Sequence, residues 1–305
     1  MKSRLLFGVL SILTVLIAAC ATISETGEKR FILTSPQQEA EMGFAAFNDL
    51  KTGMKISQDP EANALVKRVA NRLIPHANLS NAQWEVVVFD DPTPNAFALP
   101  GGKIGVHTGI LPITKTEAGL AAVIGHEIAH ITLRHSGQRI SRQMAIQAGM
   151  TALDIGLATT QENYSNYRPQ ILAGMGLGTQ VGLTLPFSRD NEYEADRIGM
   201  LYMARAGYDP AEAVEVWERM RDFSSQNGGK PPEILSTHPA DANRIRQLQA
   251  YLPTAQLEYQ SASGLIRPIE WDERLFSNPT FLAGFEPDLT PSEKFFFDHR
   301  SCACR

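Results

Sequence analysis

Cysteine is scarce in this chain: three among 305 residues, at positions 20, 302 and 304. A disulfide framework is therefore excluded, and apolar packing must hold the fold. Only Cys302 and Cys304 could pair if Cys20 is modified. With Ala303 alone between them such a loop is strained, so disulfide, free thiols and adventitious metal binding all stay open. An excess of positive charge is also missing. Lys and Arg number 28 against 33 Asp and Glu, a net charge of −5, which leaves no basic footprint for nucleic acid. No internal repeat is visible, and nothing after residue 250 reads as a helical-repeat domain. What the chain does have is 43% hydrophobic and 20% charged residues, the balance of a globular enzyme domain with a sizeable core.

The first residues read as a targeting segment. Lys2 and Arg4 form a positive n-region, and Leu5 to Ala19 an apolar h-region. That run is shorter than the roughly 20 residues a membrane-spanning helix needs. It ends in Leu16-Ile17-Ala18-Ala19-Cys20, which looks like a bacterial lipobox: cleavage precedes Cys20, and its thiol receives the lipid. Ala21, in place of Asp, resembles cargo sorted to the outer membrane. Residues 20–34 are expected to be a polar tether, 35–255 the enzyme domain and 256–305 a C-terminal extension of unread role.

Within the domain the pattern is α+β, several helices and one small sheet. Ser35-Pro36 starts a helix, with Gln38 at the capping-box position. Asp59-Pro60 starts another, with Leu65, Val66, Val69 and Leu73 as its buried stripe. Trp84 to Phe89 is a β-branched run suited to a buried strand, and Phe97 to Val106 with its Pro-Gly-Gly forms a hairpin or edge strand. Residues 143–187, with a Gly-rich apolar stretch from Leu172 to Leu185, read as a mobile helical pair covering the cleft. Gly174, Gly176, Gly178 and Gly182, with the polar Thr179, Gln180 and Thr184, weaken a spanning helix there. Beyond Tyr251 helical period is lost, although Ile266 to Trp271 could add a strand.

The most informative residues are His126-Glu127-Ile128-Ala129-His130. On a helix, positions i and i+4 share a face, so both imidazoles can bind one metal ion while Glu127 stands beside its water as general base. Leu120, Val123, Ile124, Ile128 and Ile131 make a buried stripe around the motif, and Thr114 with Glu117 reads as a capping box. A catalytic zinc takes three protein ligands and leaves one position for water. His135 fails as the third, lying about 140° around the helix from His130 and about 180° from His126; it is expected to pack or to sit at the surface. Glu192 is the better candidate. Asp196, four residues on, can accept the ring N–H of a ligand histidine and fix its tautomer. Glu194, about 200° from Glu192, is expected to be an exposed carboxylate.

H-E-x-x-H followed by N-E-x-x-x-D resembles the gluzincin metallopeptidases, and within them the HtpX-like and CAAX-prenyl-endopeptidase family (metallopeptidase family 48). Pro94-Asn95-Ala96-Phe97-Ala98-Leu99-Pro100-Gly101-Gly102 resembles the family's segment ahead of the metal helix. Ser236-Thr237-His238-Pro239, followed by Arg244 and Ile245, resembles its His-Pro segment. The matches run in order from about residue 36 to about residue 250. The resemblance implies a mostly helical zincin-like domain with a small sheet beside the active-site helix. It implies one Zn2+ on His126, His130 and Glu192, with Glu127 as general base, Asp196 orienting His126 and Asn95 facing the substrate backbone. For His238 it implies either oxyanion stabilisation or a fourth, latent zinc ligand; the bare sequence reads that residue as one near a helix N-terminus. Two functions stay in play. One is a lipid-anchored zinc endopeptidase degrading misfolded or misassembled envelope proteins. The other is a mostly latent protease acting as a chaperone or assembly factor for outer-membrane proteins. An exopeptidase is a weaker third, since nothing suggests a site reading a free terminus.

Overall fold

The computed structural model describes residues 20–79, 81–158, 187–226, 234, 238 and 242–264. The targeting segment, the Gly-rich stretch to Leu185, the strand expected at Ile266 to Trp271, and Cys302 and Cys304 lie outside the described residues.

The expected helix starts are present. Ser35 caps α1 (Pro36–Gly53): its hydroxyl accepts from the Gln38 N–H at 3.2 Å, and the Gln38 side chain accepts from the Ser35 N–H at 2.9 Å. Asp59 caps α2 (Pro60–Leu73) by accepting from Glu61 and Ala62, and Val66, Val69 and Leu73 on that helix are fully buried. The sheet holds β3 (Glu85–Phe89), β4 (Ala96–Leu99) and β5 (Lys103–His107) in the order β3-β5-β4. β5 runs parallel to β3 and antiparallel to β4. β5 is central and buried along its whole length, leaving β4 on the edge against the metal-motif helix.

That helix is α4 (Glu117–Thr132), and its cap differs from expectation. Thr114 closes the short α3 (Leu111–Thr114), Lys115 turns through φ 61°, and Thr116 accepts from the Gly119 N–H at 2.9 Å. A break at Lys115 thus moves the cap two residues on. Every residue of α4 from Gly119 to Thr132 is buried.

α5 spans His135–Ala158, α6 Arg189–Arg205, α7 Ala211–Gln226 and α8 Ala242–Ala262. Helix α4 packs against α6 with a closeness that only glycine permits. A Cβ on Gly199 would lie 2.9 Å from the His126 amide nitrogen, and one on Gly125 would lie 3.0 Å from the Gly199 carbonyl oxygen. Two expectations need correction. Helix α8 continues through Pro253 to Ala262, because Ile245, Leu248 and Ala255 keep a buried stripe across the proline. The stretch read as a tether is instead an antiparallel hairpin of β1 (Cys20–Thr22) and β2 (Lys29–Phe31), with Ile23 and Ile32 buried in the main core. Among the described residues no helix is long and apolar enough to cross a membrane.

Candidate metal centre

His126 and His130 lie one turn apart on α4, with ring centroids separated by 4.6 Å and their Nε2 atoms by 3.0 Å. Helix α6, held close by Gly199, brings Glu192 between them. One carboxylate oxygen is 3.4 Å from His126 Nε2 and the other 3.5 Å from His130 Nε2. His238 closes the cluster, its Nδ1 lying 3.2 Å from His126 Nε2 and 3.1 Å from Glu192 Oε1. One ligand atom from each of these four buried residues falls within 4.8 Å of all the others. Phe187 stacks on the His130 ring at 4.1 Å and covers its flank.

Partners around this cluster fix its geometry. Asp196 Oδ1 accepts from His126 Nδ1 at 2.9 Å, which leaves Nε2 directed at the cluster. Arg244 is fully buried. It donates from Nε to Asp196 at 2.6 Å and from Nη2 at 2.7 Å, and reaches Glu192 Oε2 at 2.7 Å. Its guanidinium lies over the Trp217 ring at 3.6 Å. Sequence reasoning named Arg244 only as a flank of the His-Pro segment; it sits near the start of α8, while Glu192 and Asp196 are on α6, so no helical period in the sequence pointed to their meeting.

One expectation is made definite here and one fails. His135 stays out of the cluster and, of the two places expected for it, it packs: it is completely buried, its Nδ1 2.9 Å from His130 Nδ1. Glu194 is not an exposed carboxylate. It is half-buried, 3.1 Å from His135 Nε2 and 3.0 Å from Arg30 of β2. The cause is local: α4 ends at Thr132, and Arg134 adopts φ 55°, so extrapolating helical angles to His135 crosses a break. Arg134 is held there by the buried Glu39 at 2.7 Å and the Thr34 carbonyl at 2.8 Å.

The electrostatics favour a cation. Burial and the Arg244 charge oppose a positive His126, yet the Asp196 and Glu192 carboxylates outweigh them and hold its pKa up to about 9. Burial, seconded by the His126 charge, pushes His130 well down. Burial would raise Glu192, but the Arg244 and His238 charges hold it well below the carboxylate range. Two imidazole Nε2 atoms 3.0 Å apart cannot both present bare lone pairs unless a cation satisfies them. Three imidazoles and a carboxylate are the donor set of a divalent ion of zinc's kind, so the residues present fit such a metal.

Glu127 is buried, and burial raises its pKa. Its Oε1 approaches His238 Nε2 to 3.4 Å but makes no hydrogen bond. Asn95, just ahead of β4, is likewise buried with its Oδ1 unpartnered, while its carbonyl accepts from the His107 N–H at 3.0 Å.

Comparison with known proteins agrees with this geometry. The profile of Peptidase family M48 matches residues 60–252. The mitochondrial metalloendopeptidase OMA1 of Schizosaccharomyces pombe is 42% identical over 197 residues, 65% of this chain and 55% of that protein. The beta-barrel assembly-enhancing protease of Escherichia coli K12 is 29% identical over 73% of this chain and 46% of its own length. Its namesake in Yersinia pestis is 30% identical over 79% and 50%. The chain thus spans about half the length of the curated relatives it matches.

Proposed function

The chain belongs to peptidase family M48 and is a metallopeptidase, and from that premise we propose that it is a zinc-dependent endopeptidase of the bacterial envelope. We take it to be lipid-anchored through Cys20 on the periplasmic face of the outer membrane and to cleave unfolded or misassembled envelope proteins. The observation that carries the reading is the meeting of His126, His130, Glu192 and His238 beside the buried Glu127, whose Oε1 has no hydrogen-bond partner. The n-region, h-region and Cys20 support the location. So does similarity to proteases whose name describes assistance to β-barrel assembly.

In this reading His126, His130 and Glu192 would hold the zinc, which would supply Lewis acidity toward a carbonyl and a water. Glu127 is placed to take a proton from the attacking water and to return it to the leaving amide nitrogen. Asp196 keeps the His126 proton on Nδ1, and Arg244 fixes both Asp196 and Glu192. The edge strand β4 offers main-chain groups to an extended peptide, and Asn95 offers its unpartnered side-chain Oδ1 to a substrate N–H.

Glu127→Gln tests the reading: full zinc by elemental analysis with casein hydrolysis lost is the expected result. Wild-type cleavage by that variant would remove Glu127 from the role of base.

His238 favours a second reading, a mainly latent protease acting as a chaperone or assembly factor. A third imidazole, offering a fourth ligand within reach, would compete with water for the open position. His238→Ala separates the alternatives by sign. Freeing a blocked metal raises casein cleavage, whereas losing an oxyanion donor lowers turnover roughly a hundredfold to a thousandfold.

A further inference from the structure

A chain of contacts leads away from His130 on the side opposite the cluster. His130 Nδ1 meets His135 Nδ1 at 2.9 Å, His135 Nε2 meets Glu194 Oε2 at 3.1 Å, and Glu194 Oε1 meets Arg30 Nη2 at 3.0 Å. The chain joins four separate elements: α4, α5, α6 and β2. Asp196 supports His126 Nδ1 directly, but among the described residues no carboxylate does the same for His130 Nδ1.

We propose that His135 and Glu194 form a positioning pair that holds the proton of His130 on Nδ1, so that His130 Nε2 presents its lone pair to the metal. The inference rests on the metal reading above. A neutral imidazole that ligates through Nε2 carries its proton on Nδ1, and that proton needs an acceptor when buried. The only group against His130 Nδ1 among the described residues is His135 Nδ1. His135 can accept there only if its own proton sits on Nε2. The ionised Glu194, which can only accept, faces that nitrogen and selects this tautomer. Arg30 occupies the other Glu194 oxygen and keeps the carboxylate ionised and aimed. The Arg134 turn is what places the His135 ring beneath His130: one more helical residue in its stead would swing the ring away.

The arrangement makes His135 and Glu194 positioning residues, remote from the reacting atoms. Competition of the full chain with a chromogenic chelator for zinc measures their effect directly. His135→Leu and Glu194→Gln are expected to bind zinc about 10- to 100-fold more weakly than wild type. His135→Asn carries a carbonyl oxygen where Nδ1 sits and is expected to recover much of that loss. A packing role would give the opposite order, since leucine fills an apolar space better than asparagine. Nitrogen-15 spectra of histidine-labelled, zinc-loaded wild type give an independent reading that needs no variant to fold. His135 is expected with its proton on Nε2 and His130 with its proton on Nδ1. A zinc-loaded wild type with His135 protonated on Nδ1 alone overturns the proposal, as does equal zinc affinity of folded His135→Leu and wild type. A wild type that binds no zinc defeats the metal reading itself, a result distinct from either.

Discussion

Arg244 is set directly against both Glu192 and Asp196, so Arg244→Met is the sharpest perturbation of the cluster short of removing a ligand. Methionine keeps most of the apolar stem and its packing on Trp217 while deleting the charge. Breaking a buried ion pair from one side costs about 3–5 kcal/mol, because a carboxylate stays behind without its partner. The cation–π contact with Trp217 belongs to the same network and does not add in full. His126, whose pKa already stands at about 9, offsets part of the loss by holding a proton beside Asp196, which puts the expectation near the lower bound, about 3 kcal/mol. Against a total stability of about 5–15 kcal/mol this is a large share. In urea with EDTA, and with an m-value of about 2–3 kcal/mol/M, the unfolding midpoint should fall by about 1 M or slightly more. With saturating zinc the loss should shrink, because the metal takes over the charge of Glu192. An unchanged midpoint in EDTA would refute the reasoning, and equal losses with and without zinc would show that Arg244 does not serve the metal-facing carboxylate.

Two further outcomes are expected. Gly199→Ala places a methyl 2.9 Å from the His126 amide nitrogen, so α6 must withdraw; a stability loss of about 1–3 kcal/mol with weakened zinc binding should follow, read by thermal melts and chelator competition. In EDTA, stability should crest near neutral pH. His126, raised to about 9, contributes most below its ordinary 6.5 and loses that contribution as pH climbs through 9. His130 and His135, which burial keeps low, contribute above 6.5 and lose it on acidification. Below about pH 4.5 the depressed Glu194 and Asp196 add a further fall as they are forced to take protons. Urea midpoints that stay flat from pH 5 to 9 would contradict this account.

The parts of the site that were legible in the sequence are those governed by one helix at a time. Period alone puts His126 and His130 on one face of α4, and Glu192 and Asp196 on one face of α6. It also turns Glu194 away from Glu192, correctly, but what Glu194 then meets is decided by α5 and β2, which no period on α6 encodes. His135 was rightly set aside as a ligand, but its contact with His130 was not legible, because a single left-handed residue, Arg134, ends the periodicity on which the angle depended. Such a conformation is uncommon for a side chain as large as arginine and costs about 1–2 kcal/mol. Here it is sustained by Glu39, nearly a hundred residues earlier in the chain. The N-terminal hairpin was missed for a different reason: Ile23 and Ile32 are isolated apolar residues in a polar stretch, and only docking on the core reveals their use. Helix α8 outran its expected end because packing on either side of Pro253 prevails over the lost backbone donor.

Under the anchoring proposed at Cys20, that hairpin bears on how far the catalytic centre could work from a membrane. The backbone of Cys20 is already strand, opposite Phe31, and Ile23 is in the core three residues later. An acyl chain on Cys20 would therefore be attached to the folded body itself, with no leash between them. The catalytic centre could not roam through the periplasm. Its hunting range would be set by the domain's own radius and by lateral diffusion of the lipid, which makes a nascent chain stalled at the bilayer surface a reachable target and a soluble one a chance encounter.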